Sequence, residues 1–153
     1  MKRIFAAEAR TGRDKQLYDE NNVRQVAGCI PVDPETNRVL LITSTKHPNA
    51  WVFPKGGWEN DETQIEAAER ETYEEAGVRG KVTRFIGEYF EYDKFCQPKT
   101  RFYVYEMHIQ EILKDWPEKK FRDRRWFTVD EAIKAVSRKA FMQDAIRVTF
   151  NSM

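Results

Sequence analysis

The stretch GGWENDETQIEAAERETYEEAGV, Gly56 to Val78, sets Glu71, Glu74 and Glu75 at i, i+3 and i+4. At 3.6 residues per turn that spacing crowds three carboxylates onto one face of a helix, where like charges repel. A positive partner among them relieves the repulsion, and hard divalent cations take oxygen ligands in this way. Mg2+ is the natural candidate, with Mn2+ as the alternative. Magnesium binds through one or two carboxylates and fills its remaining positions with waters and substrate phosphates. The spacing therefore points to a polyphosphate as the substrate.

The same stretch carries its own helix signals. Ile65, Ala68, Thr72 and Ala76 recur at three- and four-residue steps and predict a narrow inward stripe. Thr63 stands three residues before Glu66, the spacing of a capping box, and Gly77 is placed as a C-terminal stop. The helix is expected from Glu62 to Ala76. Ahead of it, Gly56 and Gly57 lack side chains, so backbone there can approach a metal or a phosphate closely. Arg70 stands four residues before Glu74 and is expected to hold that carboxylate by a charged hydrogen bond.

The rest of the chain supplies the opposite charge. Gly56 to Gly80 holds eight acids and two bases, a local −6, so the overall +1 leaves +7 on the remainder. An acidic metal site in a basic body suits a highly anionic, metal-chelating substrate. At 153 residues, with 41% apolar and 33% charged residues, the chain reads as a single soluble domain. No run approaches a membrane span, and the basic N-terminus lacks the apolar core of a secretory signal. Cys29 and Cys96 have neither metal-site spacing nor a disulfide framework and are read as reduced thiols. The expectation is a cytoplasmic monomer, with a nuclear or organelle location left open.

Strand signals cover Gln25–Ile30, Val39–Thr43, Trp51–Phe53, Lys81–Tyr92, Arg101–Ile109 and Arg124–Thr128. The first two read as a hairpin, and Asp93–Thr100 reads as the loop between the two longest. Helical spacing returns at Val129–Val136 and Ala140–Phe150. Strands interleaved with helices after an early hairpin define an α/β or α+β domain, here assigned to residues 23–153 behind a basic arm over 1–22.

Gly56, Glu62, Arg70, Glu71, Glu74, Glu75 and Gly77 match the pattern G-x5-E-x7-R-E-U-x-E-E-x-G-U, where U is a bulky apolar residue. Seven specified residues at fixed offsets arise by chance at one start with a probability on the order of 10⁻⁸, so coincidence is a poor account. The segment resembles the Nudix box, and Thr72 is its one departure. ARTGRDKQLY, RQVAGCIPV, STKHPNAWVFPKGGWE, EEAGVRGKV, TRFYVYEM, ILKDWPE and RRWFTVDEAIK resemble the diphosphoinositol polyphosphate and diadenosine polyphosphate phosphohydrolases of plants, fungi and animals. Lys55 stands where animal members carry a third glycine, which is the plant and fungal form.

The resemblance implies an α/β/α sandwich with a mixed sheet and a metal-assisted phosphoanhydride hydrolase. Glu71, Glu75 and the Gly56 carbonyl become the metal ligands, Glu74 the general base and Arg70 its companion. Arg24, Ser44, Lys46, Lys55, Gly57, Arg101, Arg124, Lys139 and, in the arm, Arg10 become the substrate-binding set. Physically, arginine offers a two-pronged fork to phosphate and lysine a mobile point charge. Tyr92 and Phe95 are candidates to stack on a nucleobase. Three other readings stay open here: a related enzyme acting on capped RNA or other nucleotides, a non-catalytic polyphosphate-binding module, and a nucleic-acid-binding domain using Arg122, Arg124 and Arg125.

Overall fold

The computed structural model describes residues 15–151. Ten elements follow in order: β1 Arg24–Asp33, β2 Arg38–Thr43, β3 Trp51–Val52, β4 Lys55–Gly57, α1 Gln64–Ala76, β5 Val78–Tyr92, β6 Pro98–Ile112, β7 Arg124–Phe127, α2 Val129–Ala135 and α3 Ala140–Phe150. The strands form one mixed seven-stranded sheet in the order β3-β2-β1-β6-β5, with β4 added to β1 and β7 to β2. β1 and β6 pair in parallel, and every other pairing is antiparallel.

β1 is buried along almost its whole length, as expected of a central strand with near-continuous apolar sequence. Its far end forms the expected hairpin with β2, through Val32 opposite Val39. Its near end pairs with β4, which places Val26 opposite Gly57 and Gly28 opposite Lys55. Periodicity does not reveal β4 as a strand, because three residues that include two glycines carry no alternation. The bonding strand also begins earlier than expected in β6, at Pro98, and shortens the predicted loop to residues 93–97.

Successive residues of β6 face opposite ways and report the layering. The Tyr105 hydroxyl meets Gln64 of α1, while the Phe102 ring stacks on Phe141 of α3 with centroids 4.4 Å apart. A helix thus covers each face, giving the expected α/β/α sandwich. Ala67, Ala68, Ala76, Val104, Met142, Ala145 and Ile146 belong to one continuous core. Cys29 also lies in it, its thiol pushed up to about 12 chiefly by burial, whereas Cys96 is exposed and unpaired by disulfide. Among the described residues, no helix is long and apolar enough to cross a membrane.

α1 departs from the predicted bounds by two residues. Thr63 is the N-cap, its hydroxyl accepting from the Glu66 N–H at 3.1 Å while Glu66 accepts from the Thr63 N–H at 2.9 Å. Gly77 ends the helix in the left-handed conformation at φ 67°. Ala68, Thr72 and Ala76 face inward as predicted, but Ile65 is exposed. Thr72 tolerates its apolar surroundings because its hydroxyl donates to the Ala68 carbonyl at 2.8 Å, which satisfies the buried group.

Candidate active site

α1 buries what helices usually expose. Arg70, Glu71, Glu74 and Glu75 are each 4–8% exposed. Charged groups at that depth require partners, and Arg70 supplies most of them. Its Nε and Nη2 grip Glu62 at 2.9 and 2.7 Å, and Nη1 reaches Glu71 at 2.9 Å and Glu74 at 3.3 Å. Nη2 also donates to the Gly57 carbonyl at 2.9 Å. The expected bond to Glu74 is present but is the longest of the set, and Glu62 is the main partner. Burial works against the guanidinium charge, and Glu62, Glu71 and Glu74 outweigh it.

Glu75 turns away from Arg70. One of its oxygens accepts from the Lys55 backbone N–H at 3.2 Å, and the other lies 3.3 Å from Arg122 Nη2. Burial pushes its carboxyl up to about 7 despite Arg122 and Lys55. Burial also raises Glu71 well above the usual carboxylate range, with Glu75 and Glu74 adding to the shift and Arg70 opposing it. Two carboxyls that resist ionisation together mark a place where a dication would be favoured.

Gly56 is the wall of this place. A Cβ on Gly56 would sit 2.2–2.4 Å from the Glu71 carboxyl atoms, so a side chain there collides with the acid. On Gly57 the same atom would meet the Gln16 amide at 2.6 Å. Among the described residues, no group of three or more His, Cys, Asp and Glu stands in a metal-holding arrangement. Glu71 and Glu75 face cationic side chains instead, and the donor set that fits a hard cation is these two carboxyls with the adjoining backbone.

The expected cations separate into those that meet the acids and those that do not. Lys55 lies over the Phe102 ring at 5.8 Å. Burial pushes its ammonium below the usual lysine range; Glu75 and Glu91 oppose that shift, and Lys139 and Arg122 add to it. Lys139 pairs with Glu91 and, with His47, Phe90, Arg138 and Phe141, lines a cleft of about 500 Å³. Ser44 accepts from the His47 N–H at 3.2 Å and borders a second cleft of about 550 Å³ with Lys120 and Arg122. Lys46 is exposed in the loop that carries both Ser44 and His47. Arg24 shares the face of β1 that carries Val26 and Gly28, the face toward Lys55.

Two expected positions do other work. Arg124 donates to the Ala76, Gly77 and Leu113 carbonyls at 2.9, 3.3 and 2.6 Å, and stacks on Trp116 at 4.0 Å. It closes the C-terminus of α1 rather than facing the acids. Arg101 leaves β6 opposite to Phe102, over Phe90 and Tyr103 and 2.5 Å from Glu88. It neighbours the Lys139 cleft through Phe90 without lining it. Tyr92 and Phe95 are exposed, and Arg10 lies outside the described residues.

Sequence reasoning missed Arg122 as a site residue. Besides reaching Glu75, it donates to Glu118 at 2.7 Å and to the Thr43 carbonyl at 2.9 Å. FRDRR holds three arginines, and no periodicity distinguishes which of them faces α1.

The fold and this carboxylate site define a class, and comparison with known proteins gives its name. The model of the NUDIX domain matches residues 23–148, and the chain belongs to that family of hydrolases. It is 42% identical over 156 residues to Nudix hydrolase 16, mitochondrial, of Arabidopsis thaliana, covering 90% of this chain and 85% of that one. It is 41% identical over 124 residues to diphosphoinositol polyphosphate phosphohydrolase 3-alpha of Homo sapiens, covering 79% and 74%. A NUDIX hydrolase from Nitrosomonas europaea shares the fold at a TM-score of 0.71 and 17% identity, covering 84% and 89%.

Proposed function

We propose that this chain is a Mg2+-dependent phosphoanhydride hydrolase of diphosphoinositol polyphosphates. It releases orthophosphate and leaves an inositol polyphosphate with one phosphate fewer, and it also cleaves diadenosine penta- and hexaphosphates. The carrying observation is that buried Glu75, whose charge raises the buried Glu71 carboxyl, meets Arg122 and Lys55, with Lys139 beside Lys55. Acids that accept a cation, bordered by cations that accept phosphate, suit a chelating polyanion. The likeness to the human diphosphoinositol polyphosphate phosphohydrolase supports the same substrate class.

Glu71, Glu75 and the Gly56 carbonyl would hold the metal, which when bound polarises phosphoryl oxygens and acidifies a water. Glu74 accepts a proton from the attacking water. Arg70 is a positioning residue that keeps Glu62, Glu71 and Glu74 in fixed relation. Lys55, Arg122 and Lys139 stabilise charge on the phosphoryl oxygens, with Arg24, Ser44, Lys46 and the Gly57 backbone at greater reach. Arg101 and, from the arm, Arg10 complete the set as long-range cations. Arg124 leaves it, because carbonyls fill its fork.

Product analysis of diphosphoinositol, diadenosine, nucleotide and capped-RNA substrates with Mg2+ and with Mn2+ tests the reading. Highest kcat/KM on the diphosphoinositol substrate is expected, and a preference for capped RNA or a simple nucleotide overturns it. Glu74→Gln is expected to lower kcat by about 10²–10⁴-fold with metal binding intact. Near-normal turnover in that variant removes Glu74 as the base. The proposal includes a cytoplasmic monomer, and since relatives carry mitochondrial names, fractionation includes the organelles.

A further inference from the structure

Residues 15–18 run alongside the segment that follows β4. The Leu17 N–H donates to the Trp58 carbonyl at 2.8 Å, and the Asn60 N–H to the Lys15 carbonyl at 2.7 Å. Toward β1 the Gln25 N–H donates to the Leu17 carbonyl at 3.0 Å. Three backbone bonds tie this strap to β1 and to the turn before α1, so the direction of the Gln16 side chain is set by the fold.

That side chain has two neighbours that matter. Its amide occupies the space over Gly57, where a Cβ would come within 2.6 Å of Gln16 Cδ. Its Oε1 accepts from Arg24 Nε at 2.9 Å. A planar guanidinium held at Nε has the direction of its Nη fork determined, because the five donors are rigidly related. Arg24 also stands on the face of β1 that turns toward Lys55.

We infer that Gln16 is a positioning residue for substrate, aiming Arg24 at the phosphates while its amide packs on Gly57. This rests on the reading of Arg24 as a phosphate ligand given above. Gln16 itself touches no reacting atom. A bidentate arginine that must first find its orientation loses part of its advantage on binding, so the strap acts by reducing that loss. Anchoring also explains why a residue ahead of the domain's first strand belongs to the site.

The test is a double-mutant cycle with Gln16→Ala, Arg24→Ala and the pair, read in KM and kcat on a diphosphoinositol polyphosphate, in Kd for inorganic triphosphate by calorimetry, and in Tm. Gln16→Ala is expected to raise KM and Kd about fivefold, with kcat within about twofold and Tm nearly unchanged. The pair is expected to be no worse than Arg24→Ala alone. Independent, multiplying effects overturn the inference, as does a Gln16→Ala defect confined to Tm and kcat. An Arg24→Ala variant with unchanged KM and Kd overturns it too. A wild-type enzyme that binds triphosphate but leaves the diphosphoinositol substrate intact overturns the proposed substrate, while the triphosphate cycle still decides the role of Gln16.

Discussion

At the scale of single residues, Glu75 makes stability depend on pH through its raised carboxyl pKa. Its folded carboxyl titrates at about 7 and the unfolded one near the ordinary 4.5. Between these values the folded, metal-free protein binds more protons than the unfolded chain, so this group makes stability fall as pH rises through the window. Thermal melts in chelator are expected to show Glu75→Gln gaining stability relative to wild type from pH 5 to pH 8. A difference that does not change with pH would contradict the burial argument. Gly56 makes a second prediction at this scale. Its missing Cβ leaves room for the Glu71 carboxyl, so Gly56→Ala displaces an acid that Arg70 holds at 2.9 Å. Metal affinity, measured by calorimetry, is expected to drop about tenfold or more.

At the scale of elements, α1 is largely legible in the sequence. Its capping box and its left-handed Gly77 depend on contacts within a few residues, and the inward stripe of Ala68, Thr72 and Ala76 is set by helical period. Local rules suffice for those. Ile65 escapes them, exposed although the spacing puts it on the same stripe. Arg124 escapes them as well. Its partners, the Ala76, Gly77 and Leu113 carbonyls, come from an α1 terminus and a segment 11 to 48 residues away. Arg124→Ala therefore belongs to stability: a loss of about 1–3 kcal/mol in denaturant melts is expected, with KM little changed. A raised KM at unaltered stability would return Arg124 to the phosphate-binding set.

For the whole molecule, the division of charge is the feature that the proposed function requires to select substrate. The −6 of Gly56 to Gly80 is folded into the middle of a chain that otherwise carries +7. Lys55, Arg122 and Lys139 gather at the buried end of that acidic segment, from β4, the turn before β7 and the turn before α3. Long-range attraction of this kind weakens with salt, whereas a proton transfer inside the site does not. KM for a diphosphoinositol substrate is expected to rise severalfold between about 0.05 and 0.5 M salt while kcat changes little. A salt-insensitive KM would show that the basic body does not steer the substrate.

The acid helix and its caps are readable from residues 56–78, because helical period and capping act over three or four positions. The partners of those acids are not. Arg122 reaches Glu75 across 47 positions, and Gln16 reaches Arg24 only because β1, with β6 along one flank, receives both β4 and the strap along the other. Strand register and the packing of α1 onto the sheet set those meetings, and a shift of one residue would turn Arg24 to the opposite face. The reaction class is thus written in a local spacing, while the grip on the substrate depends on which distant side chains the sheet brings to it.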